Sequence, residues 1–351
     1  RRSLVNQAVN AFKAHLPDSS PVNLLTDKDA HGRVYVSTYP TMMGLIDKLE
    51  EKGNSDVSRF GVGHFDLIII DEAHRSIYQK YRSIFEYFDS LLIGLTATPR
   101  DQVDRNTYQL FGLDQGSPTD AYELESAVEQ GFLVPMKVLK LELKFPTKGI
   151  TYDELSEEEK QEWEGLDWGD DVPEGAVPRA VSAAAINQWL FNNDTVDKVL
   201  TTLLEKGHKV DGGDRLGKTI IFARNHDHAK FIEERFNEKH SHYKGHFARV
   251  IDNYETYAES LLEDFTQQDK DPHIAISVDM LDTGVDVPSI LNLVFFKPVY
   301  SKIKFWQMIG RGTRLCPNLF GPDQDKQDFR IFDACNNFNF FKENPDGLDG
   351  G

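Results

Sequence analysis

Two neighbouring acidic residues give this sequence its first chemical signal. Asp71 and Glu72 end the apolar run in "LIIIDEAH", which has the composition of a buried strand. Acidic side chains at the carboxyl end of a parallel strand lie where open α/β sheets bind their ligands. One carboxylate can hold Mg²⁺ while its neighbour orients a water, and this is the pairing that phosphoryl transfer to water requires. The alternative is a strand end with two solvated acids.

A second predicted strand ends in small hydroxylated residues further along the chain. "IGLTATPR" carries Thr96 and Thr98, and Thr98 directly precedes Pro99. Their hydroxyl groups can connect the acidic strand end to a neighbouring groove. A threonine-rich strand exit with no further role explains the same letters, because the residue before a proline favours extended backbone.

The second half of the chain adds residues suited to a nucleotide. They lie in "ISVDMLDTGVDVPSI" and "FWQMIGRGTRL", and comprise Asp282, Thr283, Gly284, Asp286, Gln307, Gly310, Arg311 and Arg314. The spacing of the two arginines predicts that they share one face of a helix. A permanently charged, forked guanidinium suits the charge that grows on a phosphoryl group during its transfer. An exposed basic helix face is the alternative.

One stretch matches a phosphate-binding loop letter for letter, but in the wrong context. Gly212, Gly217, Lys218 and Thr219 fit the pattern G-x-x-x-x-G-K-[ST]. A phosphate loop needs a strand before it and a helix after it, so that the helix N-terminus faces the phosphates. Here a helical pattern precedes the glycines and the β-branched run "TIIFA" follows them. We therefore predict a turn that leads into a core strand, and no phosphate site.

Two histidines in a helical pattern raise the question of a metal site. His226 and His228 lie two positions apart, so they do not face one another on a helix. No carboxylate pattern completes a metal site with them, and we interpret both as solvated helix residues. Asn225 or Asp227 is predicted to be the N-cap of this helix.

Apolar runs of strand length alternate with helical patterns along most of the chain. The predicted strands lie at 33–39, 65–71, 91–98, 219–224, 273–279, 292–296 and 329–334. Several are apolar on both faces, which is typical of buried parallel strands. The alternation therefore predicts an α/β fold class with parallel sheets.

An acidic, polar middle divides the chain into two α/β lobes. Residues 146–182 are punctuated by Pro and Gly, which is typical of a linker or surface insertion. The predicted division is a first lobe at 1–130, a linker with the acidic insertion at 131–190, a second lobe at 191–340 and a disordered tail at 341–351.

Composition and charge narrow the class of protein. The 39 basic and 57 acidic residues give a net charge of −18, which counts against a broadly basic nucleic-acid surface but leaves room for a local basic track. No apolar run reaches the length of a membrane span, so we expect no membrane partner. The two cysteines, Cys316 and Cys335, have no metal-type spacing. They favour a reducing, cytoplasmic location over a disulfide framework.

The order of these motifs resembles that of the superfamily 2 helicases and translocases. The motifs are "STYPTMM", "DEAH", "TAT", "IIFAR", "DTGVD" and "QMIGRGTR", and they extend over both lobes. The longer stretches "RRSLVNQA", "DEAHRS", "LTATPRD", "IIFARNHDHA", "DMLDTGVDVP" and "QMIGRGTRLCP" resemble the motor region of the R subunit of type I restriction enzymes. The resemblance implies two RecA-like lobes that clasp ATP and grip DNA.

Carried over residue by residue, the resemblance implies ATP and Mg²⁺ as cofactors. Asp71 would coordinate Mg²⁺ and Glu72 would act as the base for the attacking water. Gln307, Arg311 and Arg314 match the arginine-finger motif. The further nucleotide contacts that it implies are His74, Gly284 and Asp286. The DNA contacts that it implies are Arg2, Ser37, Thr38, Thr96, Thr98, Arg224, Asn225 and Thr283.

The resemblance also implies parts that are absent from these 351 residues. The family's phosphate loop lies ahead of the "RRSLVNQ" match, so we expect an N-terminally truncated first lobe and little or no ATP hydrolysis by residues 1–351 alone. In the complete protein we expect a double-stranded DNA translocase, with the methylation and specificity subunits of a restriction-modification complex as partners. The alternatives are another superfamily 2 DNA helicase of the repair type, and a catalytically incomplete nucleic-acid-binding fragment.

Overall fold

The chain forms two compact units, unit 1 at Arg1–Ala121 and unit 2 at Tyr122–Gly351. The computed structural model describes residues 2–46, 59–73, 78–96, 105–141, 143, 150–151, 180–181, 191–281, 286–299 and 301–343. In this part of the chain, no helix has both the length and the apolar composition needed to cross a membrane.

Unit 1 is built from short parallel strands and the helices around them. Its elements are α1 Arg2–His15, β1 Pro21–Asn23, β2 Val34–Val36, α2 Tyr39–Ile46, β3 Leu67–Ile70, α3 Tyr78–Tyr87, β4 Leu91–Gly94 and α4 Arg105–Leu110. Strand β1 pairs in parallel with β2, and β3 pairs in parallel with β4. The three predicted strands of this half, at 33–39, 65–71 and 91–98, are therefore confirmed, whereas β1 was not predicted.

The β3–β4 pair is buried on one face and exposed on the other. Ile70 lies in a core with Phe60, Ile84 and Phe88. Alternate residues of the two strands, which point to the opposite face, are solvent-exposed despite being aliphatic. We call this the exposed apolar face; it consists of Leu67, Ile69, Leu91 and Ile93, with Leu95 just beyond β4. The apolar run predicts burial on both faces, so the structure differs from that expectation here.

Unit 2 contains a six-stranded, all-parallel sheet with the order β11-β12-β10-β13-β14-β5. Its elements are α5 Leu124–Glu129, β5 Met136–Lys140, β6 Ile150–Thr151, β7 Ala180–Val181, α6 Asn193–Lys206, β8 Lys209–Val210, β9 Arg215–Leu216, β10 Lys218–Ala223, α7 His226–Lys239, β11 Ala248–Val250, α8 Ala258–Thr266, β12 Ile274–Ser277, β13 Ile290–Phe296, α9 Lys302–Ile309, β14 Phe329–Asp333 and α10 Asn337–Glu343. The predicted strands of this half are all present.

The central strands of this sheet are buried throughout because both of their faces are covered. Every residue of β10 and of β13 is buried. Along β10, Ile221 packs with α6 and α7, whereas Ile220 and Phe222 pack with α8 and α9. Two layers of helices thus enclose the sheet, which is the α/β arrangement that the sequence predicts.

The segment predicted as a linker contributes a strand to the sheet of unit 2. Met136–Lys140 pairs with Phe329–Asp333 as the edge strand β5. Inside the acidic insertion, the structure describes the antiparallel pair β6–β7, and most of the remainder lies outside the described residues. Residues 341–343 of the predicted disordered tail belong to α10, and the rest of the tail also lies outside the described part.

Candidate functional site

In unit 1, the predicted acidic residues and Thr96 lie at the same edge of a strand pair. Asp71 and Glu72 directly follow β3, and Thr96 follows β4. The Ala73 amide donates to the Leu95 carbonyl at 2.9 Å, so the backbone pairing of β3 with β4 continues past the ends of these strands. The carboxyl ends of parallel strands are the usual ligand side of an α/β sheet. The structure therefore brings these three predicted site residues to one edge.

The turn that follows β3 in the chain has an unusual backbone conformation. Glu72 has a φ of 54°, in the left-handed region that most non-glycine residues avoid. Its amide donates to the Asp71 carboxylate at 3.0 Å. This hydrogen bond fixes one Asp71 oxygen within the turn, and the Asp71 side chain stays solvent-exposed. Strained turns of this kind are often found at functional sites. No sequence pattern at Glu72 predicts this backbone conformation.

The donor set of this edge fits Mg²⁺ better than a metal held entirely by protein. Among the described residues, no group of three or more His, Cys, Asp or Glu side chains could hold a metal ion. Mg²⁺ is commonly bound through one or two carboxylates, waters and the phosphates of a substrate. An exposed carboxylate such as that of Asp71 is suited to this mode.

The other predicted contacts of unit 1 are only partly described. Ser37 and Thr38 lie between β2 and α2, where the Ser37 hydroxyl donates to the Thr38 carbonyl at 3.1 Å. The Thr38 hydroxyl lies 3.1 Å from the Thr41 hydroxyl. Arg2 lies on α1, and its side chain is outside the described part of the structure. His74, Thr98, Asp282, Thr283 and Gly284 lie outside the described residues.

In unit 2, two predicted DNA contacts lie where β10 ends. Arg224 and Asn225 are exposed. The Asn225 side-chain oxygen accepts from the His228 amide at 2.9 Å, which confirms Asn225 as the N-cap of α7. His228 is buried, and its Nδ1 accepts from the Arg224 amide at 3.2 Å. The interpretation of His228 as a solvated residue is therefore wrong.

The prediction that Arg311 and Arg314 share a helix face is also wrong. Helix α9 ends at Ile309, so both arginines lie in the turn beyond it and only Gln307 lies on the helix. The Arg311 Nε donates to the Gln307 carbonyl at 3.2 Å. A helix end leaves carbonyl groups without intrahelical partners, and an arginine just beyond the end is a suitable donor to them.

Tertiary packing explains why the helix stops before the arginines. A Cβ placed on Gly312 would lie 2.2 to 2.7 Å from the Phe329 ring. The turn at 310–312 therefore approaches strand β14 more closely than any side chain at position 312 would allow. This contact joins residues far apart in sequence, so local periodicity cannot reveal it.

Arg314 is held by another predicted nucleotide contact. Its Nη2 donates to Asp286 Oδ2 at 3.1 Å, and its Nε lies 3.1 Å from Asp286 Oδ1. The two side chains are about half exposed, at 54% and 50%. The structure therefore brings Asp286 and Arg314 together in a forked ion pair.

Sequence reasoning missed an ionic cluster at the same end of the sheet. Asp279 lies 2.8 Å from the Lys304 ammonium and 3.6 Å from that of Lys297. Burial alone would raise the pKa of Asp279, but the two ammonium groups lower it overall. Because Lys304 lies in the first turn of α9, this contact anchors the helix that leads to the arginines. The only sequence signal is one acid and two lysines that come after β12 and β13, two strands that are consecutive along the chain but have β10 between them in the sheet.

The letters of a phosphate loop do not form one, as predicted. Residues 218–223 are the central strand β10, and Lys218 is buried at its start. The Lys218 ammonium donates to the carbonyls of Lys270 and Pro272, the latter at 2.9 Å. Burial lowers the pKa of this lysine to about 8. Its role is to join β10 to the loop before β12.

Two protein-family models match the chain. The family described as "Type III restriction enzyme, res subunit" matches residues 1–101, and "Helicase conserved C-terminal domain" matches residues 197–316. Together they cover parts of both units.

The chain is also similar to endonuclease subunits of type I restriction enzymes. The endonuclease subunit of the type I restriction enzyme EcoKI from Escherichia coli K12 is 28% identical, over 95% of this chain and 29% of its own length. The corresponding subunit of EcoAI from Escherichia coli is 28% identical, over 72% of this chain and 30% of its own length. The chain thus spans less than a third of the length of these relatives.

Solved structures confirm the predicted fold class of RecA-like α/β units with parallel sheets. A fragment described as an HsdR subunit of a type I restriction enzyme from Vibrio vulnificus YJ016 has a TM-score of 0.64 at 24% identity, covering 95% of this chain and 53% of that one. Dbp5 from S. cerevisiae, bound to RNA and ADP BeF3, has a TM-score of 0.55 at 13% identity, covering 99% of this chain and 74% of that one.

Proposed function

Because the chain is related to the superfamily 2 helicases and, within them, to the R subunits of type I restriction enzymes, we propose that it is part of an ATP-driven motor that moves along double-stranded DNA. In this proposal the chain works inside a longer R subunit. The methylation and specificity subunits of a restriction-modification complex would be its partners.

One observation in unit 1 carries the proposal. The Ala73–Leu95 hydrogen bond holds Asp71, Glu72 and Thr96 at the carboxyl edge of two parallel strands. A motor needs acidic residues that act on the nucleotide. It also needs hydroxyl groups close enough to couple the state of that nucleotide to the contacts with DNA. The edge of the β3–β4 pair supplies both.

Each residue has a proposed part in ATP hydrolysis. Asp71 would hold Mg²⁺ together with phosphate oxygens of ATP, and the ion, when bound, neutralises charge on those phosphates. Glu72 would take the proton of the attacking water. Arg311 and Arg314 would stabilise the charge on the transferring phosphoryl group, and Gln307 would support them.

Triplex displacement by the full-length R subunit tests the proposal. A third DNA strand is bound to an intact duplex, and its release is followed after ATP is added. A translocase releases the third strand and leaves the duplex paired. Separation of the duplex strands would instead indicate a helicase of the repair type. No ATP-dependent release of either kind would contradict the motor and would leave a nucleic-acid-binding scaffold.

A further inference from the structure

The forked ion pair of unit 2 joins two residues that are both expected to contact a nucleotide. Arg314 presents Nε and Nη2 to the two oxygens of Asp286, each at 3.1 Å. This is the geometry in which a guanidinium also binds two oxygens of a phosphate. Asp286 therefore occupies the side of Arg314 that an incoming phosphate would use.

The backbone that directly follows Asp286 is anchored to unit 2. Val287, the next residue, is buried in the core of unit 2. The Pro288 carbonyl accepts from the buried Lys326 ammonium at 3.0 Å. The carboxylate of Asp286 therefore lies directly before an anchored segment.

The backbone that carries Arg314 is fixed as well. Phe305 and Met308 of α9 are buried, and Lys304 is held by Asp279 at 2.8 Å. Beyond the helix, Gly312 lies against the Phe329 ring. The long Arg314 side chain, half exposed, is thus the part of this arrangement that is able to move.

We propose that Asp286 is the counter-ion of Arg314 in the absence of ligand, and that a polyphosphate binds unit 2 by replacing Asp286 as the ion-pair partner of Arg314. This inference rests on the proposed function, which assigns the phosphates of ATP to Arg314. Asp286 acts here as a positioning residue. It keeps the guanidinium extended and neutralised until an anion with more charge than a carboxylate replaces it.

The exchange has an energetic consequence. A half-exposed ion pair contributes up to about 1 kcal/mol, and a phosphate must overcome this before it can bind Arg314. Removing the Asp286 charge should therefore strengthen phosphate binding about fivefold. This direction is informative, because a substitution that merely damages the site weakens binding.

Inorganic tripolyphosphate is the suitable probe, because it has no ribose that Asp286 could contact directly. The chain labelled with ¹⁵N-arginine is titrated with tripolyphosphate at low salt, and the Nε–H resonance of Arg314 is followed by NMR. In the wild type, this resonance should shift as the partner changes from carboxylate to phosphate. In Asp286→Asn, which keeps the shape of the side chain, the dissociation constant should fall about fivefold.

A matched control separates partner exchange from a general loss of negative charge. Asp211 forms another ion pair with an arginine, Arg215, at 2.7 Å and is 55% exposed. Asp211→Asn removes the same charge from the same unit and should change the affinity by less than about twofold. Arg314→Gln should remove the gain when it is combined with Asp286→Asn.

Three results would overturn the inference. They are an affinity that does not rise in Asp286→Asn, an equal rise in Asp211→Asn, and a rise that persists without Arg314. Failure of the proposed function is a different result. If the R subunit does not move along duplex DNA but Asp286→Asn gains tripolyphosphate affinity, the partner exchange is supported and the motor function is contradicted. If the R subunit moves along DNA but Asp286→Asn gains no tripolyphosphate affinity, only the partner exchange is contradicted.

Discussion

Glu72 combines the proposed role of a base with a backbone conformation that few glutamates adopt. Its positive φ and the Asp71–Glu72 hydrogen bond both belong to the turn behind β3. An Asn or Gly would adopt this φ with less strain. A requirement for the Glu72 carboxylate would explain a glutamate in this conformation.

Glu72→Gln in the full-length R subunit tests this role. Gln keeps the size of the side chain but cannot accept the proton of the attacking water, so kcat for ATP hydrolysis should fall about 100-fold or more. ATP affinity, measured with a fluorescent analogue, should stay within about threefold, because a general base contributes chiefly to the transition state. Glu86→Gln, at an exposed helical position paired with Arg82, is the control and should leave both values unchanged. Wild-type turnover in Glu72→Gln would remove the assignment.

A second prediction at this scale concerns a buried histidine. Burial, with a contribution from the positive charge of Lys218, lowers the pKa of His273 to about 4. The unfolded chain, with a pKa of about 6.5 for this group, binds a proton between these two values that the folded chain does not. Stability is therefore lost as the pH falls from about 6.5 towards 4, and His273 should account for about 2 kcal/mol between pH 7 and pH 5.

Urea titrations of the wild type and His273→Gln at pH 7 and pH 5 measure this contribution. The variant should be less stable at pH 7 but should lose less free energy of unfolding on acidification. His246→Gln, at an exposed position, should follow the wild type. Equal pH dependence in all three proteins would show that His273 titrates normally in the folded state.

At the scale of elements, the end of α9 depends on a glycine that touches a distant strand. Gly312→Ala must displace the Phe329 ring or the turn that carries Arg311, because the added Cβ would lie 2.2 Å from the nearest ring atom. We expect a loss of about 2 kcal/mol in the free energy of unfolding. Gly310→Ala is the matched control: its nearest contact is the Trp306 carbonyl at 3.3 Å, and it should cost less than about 1 kcal/mol. Equal costs measured by urea unfolding would contradict this account.

The elements that sequence could predict are those whose own residues determine them. The runs that form β10 and β13 are apolar along most of their length, so their burial at the centre of a parallel sheet follows from composition. Strand β5 was missed because two of its five residues are lysines, so it lacks a continuous apolar run. Only its pairing with β14 makes it a strand.

The candidate site shows the same limit. The sequence analysis predicted that Asp71, Glu72 and Thr96 lie at the ends of two strands. The parallel pairing of these strands brings the three residues to one edge of the pair. It did not foresee that the helix would stop before Arg311, because Gly312 and Phe329 are in contact across seventeen positions of sequence. The Asp286–Arg314 ion pair was missed for the same reason.

At the scale of the whole molecule, the proposed motor needs a phosphate-binding loop. The one match to its pattern contains Lys218, which is buried and donates to two backbone carbonyls. We therefore predict that residues 1–351 alone release phosphate from ATP at close to the uncatalysed rate, with or without duplex DNA. The full-length R subunit, assayed for phosphate release in parallel, should show turnover that depends on DNA. Strong DNA-stimulated hydrolysis by residues 1–351 would contradict the prediction.

The exposed apolar face of unit 1 has a consequence for handling the protein. Its five aliphatic side chains, among them Leu91 at 74% exposure, attract one another between molecules when no other surface covers them. This attraction weakens in the cold and strengthens in sulfate. Concentrated samples should therefore become turbid on warming and clear again on ice.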